Sequence, residues 1–166
     1  DRLLCGEGLA PAPPIPYNNA MMRKNEFPPL PPAVMQALEH RLTRPGHFHN
    51  HLGMTLVDAR KGWSRMEMAV TPELINVFGQ VHGGALFSLV DTAMGAALAG
   101  LLEAGEGMTT VEAKINYIRP ITEKTAIVEA AVLHRGRRTA VLEARVMDDC
   151  GLAAARALGT YLILEP

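Results

Sequence analysis

The pattern of apolar and polar residues changes period along the chain and predicts its secondary structure. From Met54 to Val70 the two kinds of residue alternate, which predicts two β-strands about a turn at Lys61-Gly62. From about Gly83 to Glu103 a run rich in Ala and Leu predicts one long helix, which ends at the sequence EAGEG. Four further runs have the composition of strands: 108–118, 125–134, 139–148 and 152–164.

The links between the last four strands bear on the sheet topology. The sequences RPITEK, RGRR and DCG are short and turn-like, which favours antiparallel neighbours over parallel strands joined by helices. The long helix carries no charge except Asp91, so most of its surface must be covered by the sheet. The predicted fold class is α+β, with one long central helix wrapped by a curved antiparallel sheet.

The N-terminal part of the chain has a different composition. Residues 1–32 contain most of the prolines, in PAPPIP and FPPLPP, and we expect a flexible, extended arm there. Met21-Met22 offers a translation start, so we expect residues 1–20 to be either an upstream extension or sequence that is not native to the protein. The apolar spacing in PPAVMQALEHRL predicts a short amphipathic helix at about 33–43, which begins a single domain over 33–166.

Length and charge narrow the possible partners and location. With 166 residues and a net charge of −1, the chain has one domain and no overall attraction for nucleic acid or anionic membranes. No secretory signal is visible, and Asp91 interrupts the run that is long enough to suggest a membrane span. We expect Cys5 and Cys150 to be free thiols in a reducing cytoplasm.

Two features of the long helix suggest chemistry. At its start, Gly83-Gly84 would expose backbone N–H groups that have no partner within the helix, so a carbonyl oxygen could approach them closely. In its middle, Asp91 is a carboxylate that burial would destabilise unless it is paired or used as a base or nucleophile. The structural alternatives are a tight glycine turn and an aspartate bonded to Ser88, Thr92 or a facing subunit.

The distance between these features has a consequence for assembly. Eight residues of helix rise ~12 Å, so one chain cannot bring the Gly83 N–H and the Asp91 carboxylate to the same carbonyl group. Two helices packed antiparallel about a two-fold axis could do so. If both groups act on one substrate, the protein is a homodimer with two shared sites.

The residues Asn76, His82-Gly83-Gly84 and Asp91, in this order, resemble a known family. They are similar to the hotdog-fold acyl-CoA thioesterases, most of all the phenylacetate-degradation type within the 4-hydroxybenzoyl-CoA thioesterase superfamily. The resemblance continues through NYIRPI, HRGRRTAVLEARVMD and GLAAARALGTY, and so covers roughly residues 50–164.

This resemblance implies a role for each motif residue. The Gly83 N–H would polarise the thioester carbonyl, while His82 and Asn76 would hold it and shape the site. Asp91 of the partner subunit would act as nucleophile or as the base that activates water. A Ser or Thr on the strand after the helix orients water in related enzymes, and the matching position is Thr110, with Thr109 as the alternative.

Further residues are candidates for binding coenzyme A. These are Gly84 at the helix start and the arginines around Gly136, since guanidinium groups bind phosphates well: Arg135, Arg137 and Arg138. The alternative for the arginines is a solvated turn. The alternating His47, His49 and His51 would share one face of an extended strand, but no carboxylate or Cys cluster accompanies them, so no metal site and no cofactor is predicted.

The predicted function is hydrolysis of an acyl-CoA thioester to a free acid and coenzyme A. One alternative is a hotdog hydratase or dehydratase, and another is a non-catalytic acyl-CoA-binding or regulatory module. The expected partners are an acyl-CoA substrate and further copies of the chain, as a homodimer or a dimer of dimers. The apolar side chains that would form the acyl pocket are scattered, so the sequence does not identify the acyl group.

Overall fold

The predicted order of two strands, one long helix and four strands is confirmed by the computed structural model, which describes residues 24–122 and 124–165. Two short helices precede the sheet, and a 3₁₀ turn at Pro72–Leu74 precedes the long helix. The helices are α1 (Pro32–Thr43), α2 (Phe48–His51) and α3 (Gly83–Ala99). The strands are β1 (Met54–Arg60), β2 (Trp63–Ala69), β3 (Gly107–Tyr117), β4 (Thr125–Arg135), β5 (Thr139–Met147) and β6 (Ala153–Leu164).

All six strands form one antiparallel sheet in the order β1-β2-β4-β5-β6-β3. The expectation that consecutive strands are neighbours is wrong for β3, which lies at the edge beside β6. The link from β3 to β4 crosses the sheet instead of forming a hairpin. On its way it accepts backbone bonds from Val81 at Ile121 and from Val70 at Lys124. The link therefore passes the start of α3, and β4 then lies beside β2.

The sheet curves around α3, and the core lies between them. Apolar side chains of the helix pack against the inward-facing residues of the central strands, which removes both from water. Fully buried examples are Leu89, Val90, Ala93, Met94 and Leu98 of α3, and Met66, Met68, Val128 and Leu142 of the sheet. The α+β architecture of one long helix wrapped by an antiparallel sheet is therefore confirmed.

One stripe of α3 is left less covered than the rest. Gly84, Ser88, Asp91, Gly95 and Ala99 recur at helical spacing and are exposed or half-buried, while the neighbouring apolar residues are buried, except the half-buried Phe87. Small side chains dominate this stripe. The sheet of one chain therefore covers α3 on most sides, but not along the line that carries Asp91.

The end of the proline-rich arm is packed on the sheet. Pro29 forms a β-bridge with Arg60, and the Arg60 guanidinium donates to the Phe27 carbonyl oxygen at 3.3 Å. Leu30 packs against the core. Residues 1–23 lie outside the described part of the chain, so the flexible arm stays a prediction there.

The structure bears on two expectations, that the chain has no membrane span and that its cysteines are free thiols. Among the described residues, no helix combines the length and the apolar character that crossing a membrane requires. The expected free thiol is wrong for Cys150, which is disulfide-bonded, and Cys5 lies outside the described residues. The cytoplasmic location, which rested on free thiols, stays a prediction without that support.

Candidate active site

Asp91 is held by two hydroxyl groups from the sheet. Thr110 Oγ1 donates to Asp91 Oδ1 at 2.9 Å, and the Tyr161 hydroxyl donates to the same oxygen at 2.7 Å. The Ser88 and Thr92 hydroxyls, which were the alternative partners, donate instead to helix carbonyls at Gly84 and Ser88. The Asp91 carboxylate is therefore held against β6 and the edge strand β3.

A β-bulge explains why Thr110, and not Thr109, contacts Asp91. Thr110 pairs with Tyr161 and Glu112 pairs with Thr160, so Val111 is the extra residue of β3. Without it, strict alternation would place Thr110 and Tyr117, seven residues apart, on opposite faces of the sheet. The bulge turns both side chains toward α3. The alternating sequence pattern of β3 does not predict this bulge.

His82 caps the N-terminus of α3. Its Nδ1 accepts a hydrogen bond from the Gly84 N–H at 2.9 Å, which requires the lone pair of a neutral ring and places the ring proton on Nε2. The Gly84 N–H is therefore already bonded, so the predicted substrate contact of Gly84 is not supported by its geometry. Gly83, the first helical residue, retains an N–H without a partner inside the helix.

Tyr117 of β3 lies directly over Gly83. Its hydroxyl donates to the Gly83 carbonyl oxygen at 2.7 Å, and a Cβ at position 83 would meet the tyrosine ring at 3.1 Å. Partial burial raises the pKa of Tyr117, so its hydroxyl stays protonated and donates. The aromatic ring therefore leaves little room for a side chain at this position.

Asn76 shapes the loop that precedes α3. Its Oδ1 accepts from the backbone N–H groups of Phe78 at 2.9 Å and of Gln80 at 3.2 Å. The side chain thereby holds a tight turn whose tip, Val77 and Phe78, is exposed. The observed contacts of Asn76 are structural, and they keep the loop beside the helix start.

A cavity of about 350 Å³ opens next to the helix start. It is lined by polar groups of the motif together with apolar side chains, among them Asn76, Gly83, Leu86, Tyr117 and Ile121. Asp91 is not part of this lining. A single chain therefore presents the Gly83 N–H and the Asp91 carboxylate at two separate places, as the ~12 Å helical rise between them requires.

The three arginines of the predicted phosphate patch differ in their surroundings. Arg135 is bound to both carboxylate oxygens of Glu106, at 2.7 and 2.6 Å, and this contact helps the Glu103 N–H to lower the pKa of Glu106. Arg137 is largely exposed and lies 3.7 Å from Glu165. Arg138 is exposed as well. Arg137 and Arg138 can therefore receive a phosphate, whereas the guanidinium of Arg135 is occupied.

The histidines of the 47–51 segment do not lie on an extended strand. Asn50 and His51 both donate backbone bonds to the His47 carbonyl oxygen, which forms the short helix α2. The expectation of three imidazoles on one strand face is therefore wrong. Within the described residues, one group has ligand atoms close enough for a metal ion, Asp148, Asp149 and Cys150, and the sulfur of Cys150 is in a disulfide.

The sequence did not point to two residues of this site. Tyr161 and Tyr117 lie in strands with ordinary apolar patterns, and their contacts to Asp91 and Gly83 depend on strand register. For Tyr161 a signal was available, since a buried phenol needs a hydrogen-bond partner, whereas Tyr117 is exposed and gave no such signal. That rule does not name the partner.

Comparison with known proteins identifies the family of the chain. The family model described as the Thioesterase superfamily matches residues 78–155. Acyl-coenzyme A thioesterase PaaI of Escherichia coli is 31% identical over 101 residues, which are 59% of this chain and 69% of the relative. Proofreading thioesterase EntH of Klebsiella pneumoniae is 32% identical over 103 residues, 61% of this chain and 74% of the relative. The structure of conserved protein PA5202 from Pseudomonas aeruginosa matches with a TM-score of 0.70 and 33% identity, covering 75% of this chain and 98% of that one. The chain belongs to the thioesterase superfamily.

Proposed function

We propose that the protein hydrolyses acyl-CoA thioesters to a free carboxylic acid and coenzyme A. The observation that carries this proposal is that α3 presents both an N–H at Gly83, which has no partner inside the helix, and a carboxylate, Asp91, which the sheet holds in place. The relatives named acyl-coenzyme A thioesterase and proofreading thioesterase support the reaction class. No cofactor takes part, since coenzyme A belongs to the substrate.

The chemistry follows from the donors at the helix start. The Gly83 N–H and the Nε2–H of His82 donate to the thioester oxygen, and they stabilise the negative charge that develops there during attack. Asp91 then acts in one of two ways. As a base it takes a proton from water while the oxygen of that water bonds to the carbonyl carbon. As a nucleophile it bonds to that carbon itself, and water later hydrolyses the anhydride. In both, the C–S bond breaks and the thiolate of coenzyme A leaves and is protonated.

A homodimer would complete the site. β3 is an edge strand of 11 residues whose outer edge pairs with no strand among residues 24–122 and 124–165, and such an edge can pair with a second copy. A two-fold axis near Ala113 and Lys114 would bring Tyr117 of each chain opposite Thr110 of the other. Because Tyr117 contacts Gly83 and Thr110 contacts Asp91, the two halves of the site would then meet across the axis.

The open stripe of α3 supports the same arrangement. The small side chains at Gly84, Ser88 and Gly95 permit close approach of an antiparallel second helix, and the stripe faces the β3 edge. Pairing of the β3 edges would lay the two helices side by side over one continuous sheet. The half-buried Asp91 would become covered in the process. A further pairing of dimers is compatible with this geometry and is not needed for the site.

Two alternative functions differ in what they require of Asp91. A non-catalytic acyl-CoA-binding module has no use for a carboxylate beside the thioester. A hydratase or dehydratase would release no thiol. Release of free thiol from a panel of acyl-CoAs, followed with a thiol reagent, separates hydrolysis from both alternatives and also identifies the preferred acyl group. We expect thiol release with at least one acyl-CoA; binding without thiol release across the panel would reject hydrolysis.

The nucleotide of coenzyme A should contact the turn between β4 and β5. Tyr161, which touches Asp91, pairs with Ala140, and Arg138 lies two residues further along toward the turn. The exposed Arg137 and Arg138 are thus on the Asp91 side of the chain, away from its own Gly83. A phosphate bound there would belong to a substrate whose carbonyl is held by the helix start of the second subunit.

Neutralising Arg137 and Arg138 together to Gln is therefore expected to raise KM for acyl-CoA more than it lowers kcat. Phosphates far from the reacting carbon contribute binding that is equal in the ground state and the transition state. The effect should shrink for a pantetheine thioester, which lacks the nucleotide. Arg41→Gln with Arg44→Gln, two exposed charges in the last turn of α1 and just after it, is the matched control. Equal damage to both substrates would place the arginines in folding or assembly instead.

A further inference from the structure

Tyr161 is a buried phenol whose hydroxyl reaches the proposed reactive carboxylate. Its side chain is 2% exposed, and its oxygen lies 2.7 Å from Asp91 Oδ1 and 2.9 Å from the Asp91 carbonyl oxygen. The residue is on β6, 70 positions from Asp91 in the chain. Core tyrosines commonly satisfy their hydroxyl on a backbone carbonyl, so a contact with the side chain of this particular residue requires explanation.

The strand register brings two hydroxyls to one oxygen atom. Thr110 and Tyr161 are direct partners in the β3–β6 pair, on the face that looks toward α3. Both donate to Oδ1 of Asp91, and within the described residues no hydrogen bond is made to Oδ2. The two carboxylate oxygens therefore have different tasks. One is anchored by the sheet, and the other is directed away from its anchors.

The phenol can serve only as a donor in this contact. Burial, together with the hydrogen bond to Asp91 and its negative charge, raises the pKa of Tyr161, so the hydroxyl keeps its proton. An ionised carboxylate accepts only. The hydrogen bond is therefore charge-assisted, a class of bond that is shorter and stronger than one between neutral groups.

We propose that Tyr161 is a positioning residue for catalysis, which together with Thr110 anchors Oδ1 of Asp91 so that Oδ2 is the oxygen presented to water or to the thioester. This proposal rests on the proposed hydrolysis. It adds a residue that touches neither substrate nor the reacting carbon and acts through Asp91 alone. Thr110 is exposed and in contact with solvent, whereas Tyr161 is buried, so the phenol supplies the rigid part of the anchor.

The test is Tyr161→Phe, which keeps the ring in the core and removes one oxygen. We expect kcat to fall about 10- to 100-fold, the range expected for a hydrogen bond to a charged group, with KM unchanged. KM should hold because coenzyme A and the carbonyl are bound by other groups. Loss of a positioned base or nucleophile affects the chemical step, so the whole effect should appear in kcat.

Ser64→Ala is the matched control. Ser64 is also a fully buried hydroxyl on the sheet, and it donates at 2.7 Å to an α3 carbonyl, that of Ala93, two residues from Asp91. If Tyr161 merely supported the helix, both variants would lose activity and thermal stability to a similar degree. We expect Ser64→Ala to lose stability and to retain wild-type kcat.

The possible results distinguish this inference from the proposed function. Loss of kcat in Tyr161→Phe and not in Ser64→Ala supports the positioning role. Undiminished kcat in Tyr161→Phe, or equal loss in the two variants, overturns it even if Asp91→Asn is inactive, in which case the hydrolysis proposal stands. If Asp91→Asn itself retains full activity, the hydrolysis proposal fails and the anchor has no reactive group to hold.

Discussion

Asp91→Asn is expected to lower the rate of thioester hydrolysis about 10²- to 10⁴-fold, the range typical for loss of a positioned base. The amide keeps the shape of the side chain, and its Oδ1 can still accept from Thr110 and Tyr161. It has no negative charge with which to attack or to deprotonate water. The measurement is kcat with the best acyl-CoA of the panel, together with a melting temperature to confirm the fold.

Glu112→Gln is the control for this loss. Glu112 is a carboxylate on β3, which pairs with β6. It accepts a hydrogen bond from Thr160 Oγ1 at 2.7 Å, much as Asp91 accepts one from Thr110. The bulge places it on the opposite face of β3, away from α3. We expect Glu112→Gln to keep wild-type activity. Full turnover by a pure Asp91→Asn sample would remove Asp91 from the mechanism.

Gly83→Pro is expected to lower kcat about 10²- to 10³-fold, as loss of one oxyanion donor typically does. Proline is tolerated at the first position of a helix, where it removes an N–H that has no partner inside the helix. Its ring carbons must also fit beneath Tyr117, which lies 3.1 Å from a Cβ at this position. The loss therefore has two possible sources, the missing N–H and the steric contact.

Gly83→Ala separates these sources, because it adds the same Cβ and keeps the N–H. We expect the alanine variant to be far more active than the proline variant and to share its shift in melting temperature. Equal activity in the two would mean that the Tyr117 contact, and not the N–H, accounts for the loss.

Much of the fold could be predicted from the sequence because the signals were local. The alternation in 54–70 and the uncharged run from Gly83 set the element types, and the run's single charge indicated a helix that the sheet must surround. Strand order was less accessible. The β3–β4 link is short enough to suggest a hairpin, and the contacts that carry it across the sheet are made to residues distant in sequence.

Some residues of the candidate site could be predicted from the sequence, and others could not. Gly83 and Asp91 were predicted because they share one helix, where spacing translates directly into distance, whereas His82 was named through the family resemblance. The Asp91 anchor could not be derived, since it depends on a bulge at Val111 and on the register that pairs Thr110 with Tyr161. The hydrogen bond that occupies the Gly84 N–H, where a substrate contact was expected, could not be derived from the sequence either. Its N–H lies within reach of His82 Nδ1, a contact that requires the ring's rotamer to be known.

Each active site is proposed to take Gly83 from one chain and Asp91 from the other. Within one chain the two groups are separated by two turns of helix, and a two-fold axis at the β3 edge would bring them together. A mixed dimer of Gly83→Pro and Asp91→Asn chains would then hold one site with both lesions and one site with neither. Two sites confined to single chains would each carry a lesion.

The most direct measurement is the hydrolysis rate after the two purified variants are mixed and allowed to exchange subunits. Random exchange makes half of the dimers mixed, each with one intact site of two, so about a quarter of wild-type activity should return. Gly83→Ala mixed with Asp91→Asn reports how far the added Cβ alone limits that recovery. Mass spectrometry of differently tagged chains verifies that exchange has occurred. Recovery to about a quarter is the predicted result, and a mixture that exchanges fully yet stays as inactive as its parts would contradict the shared site.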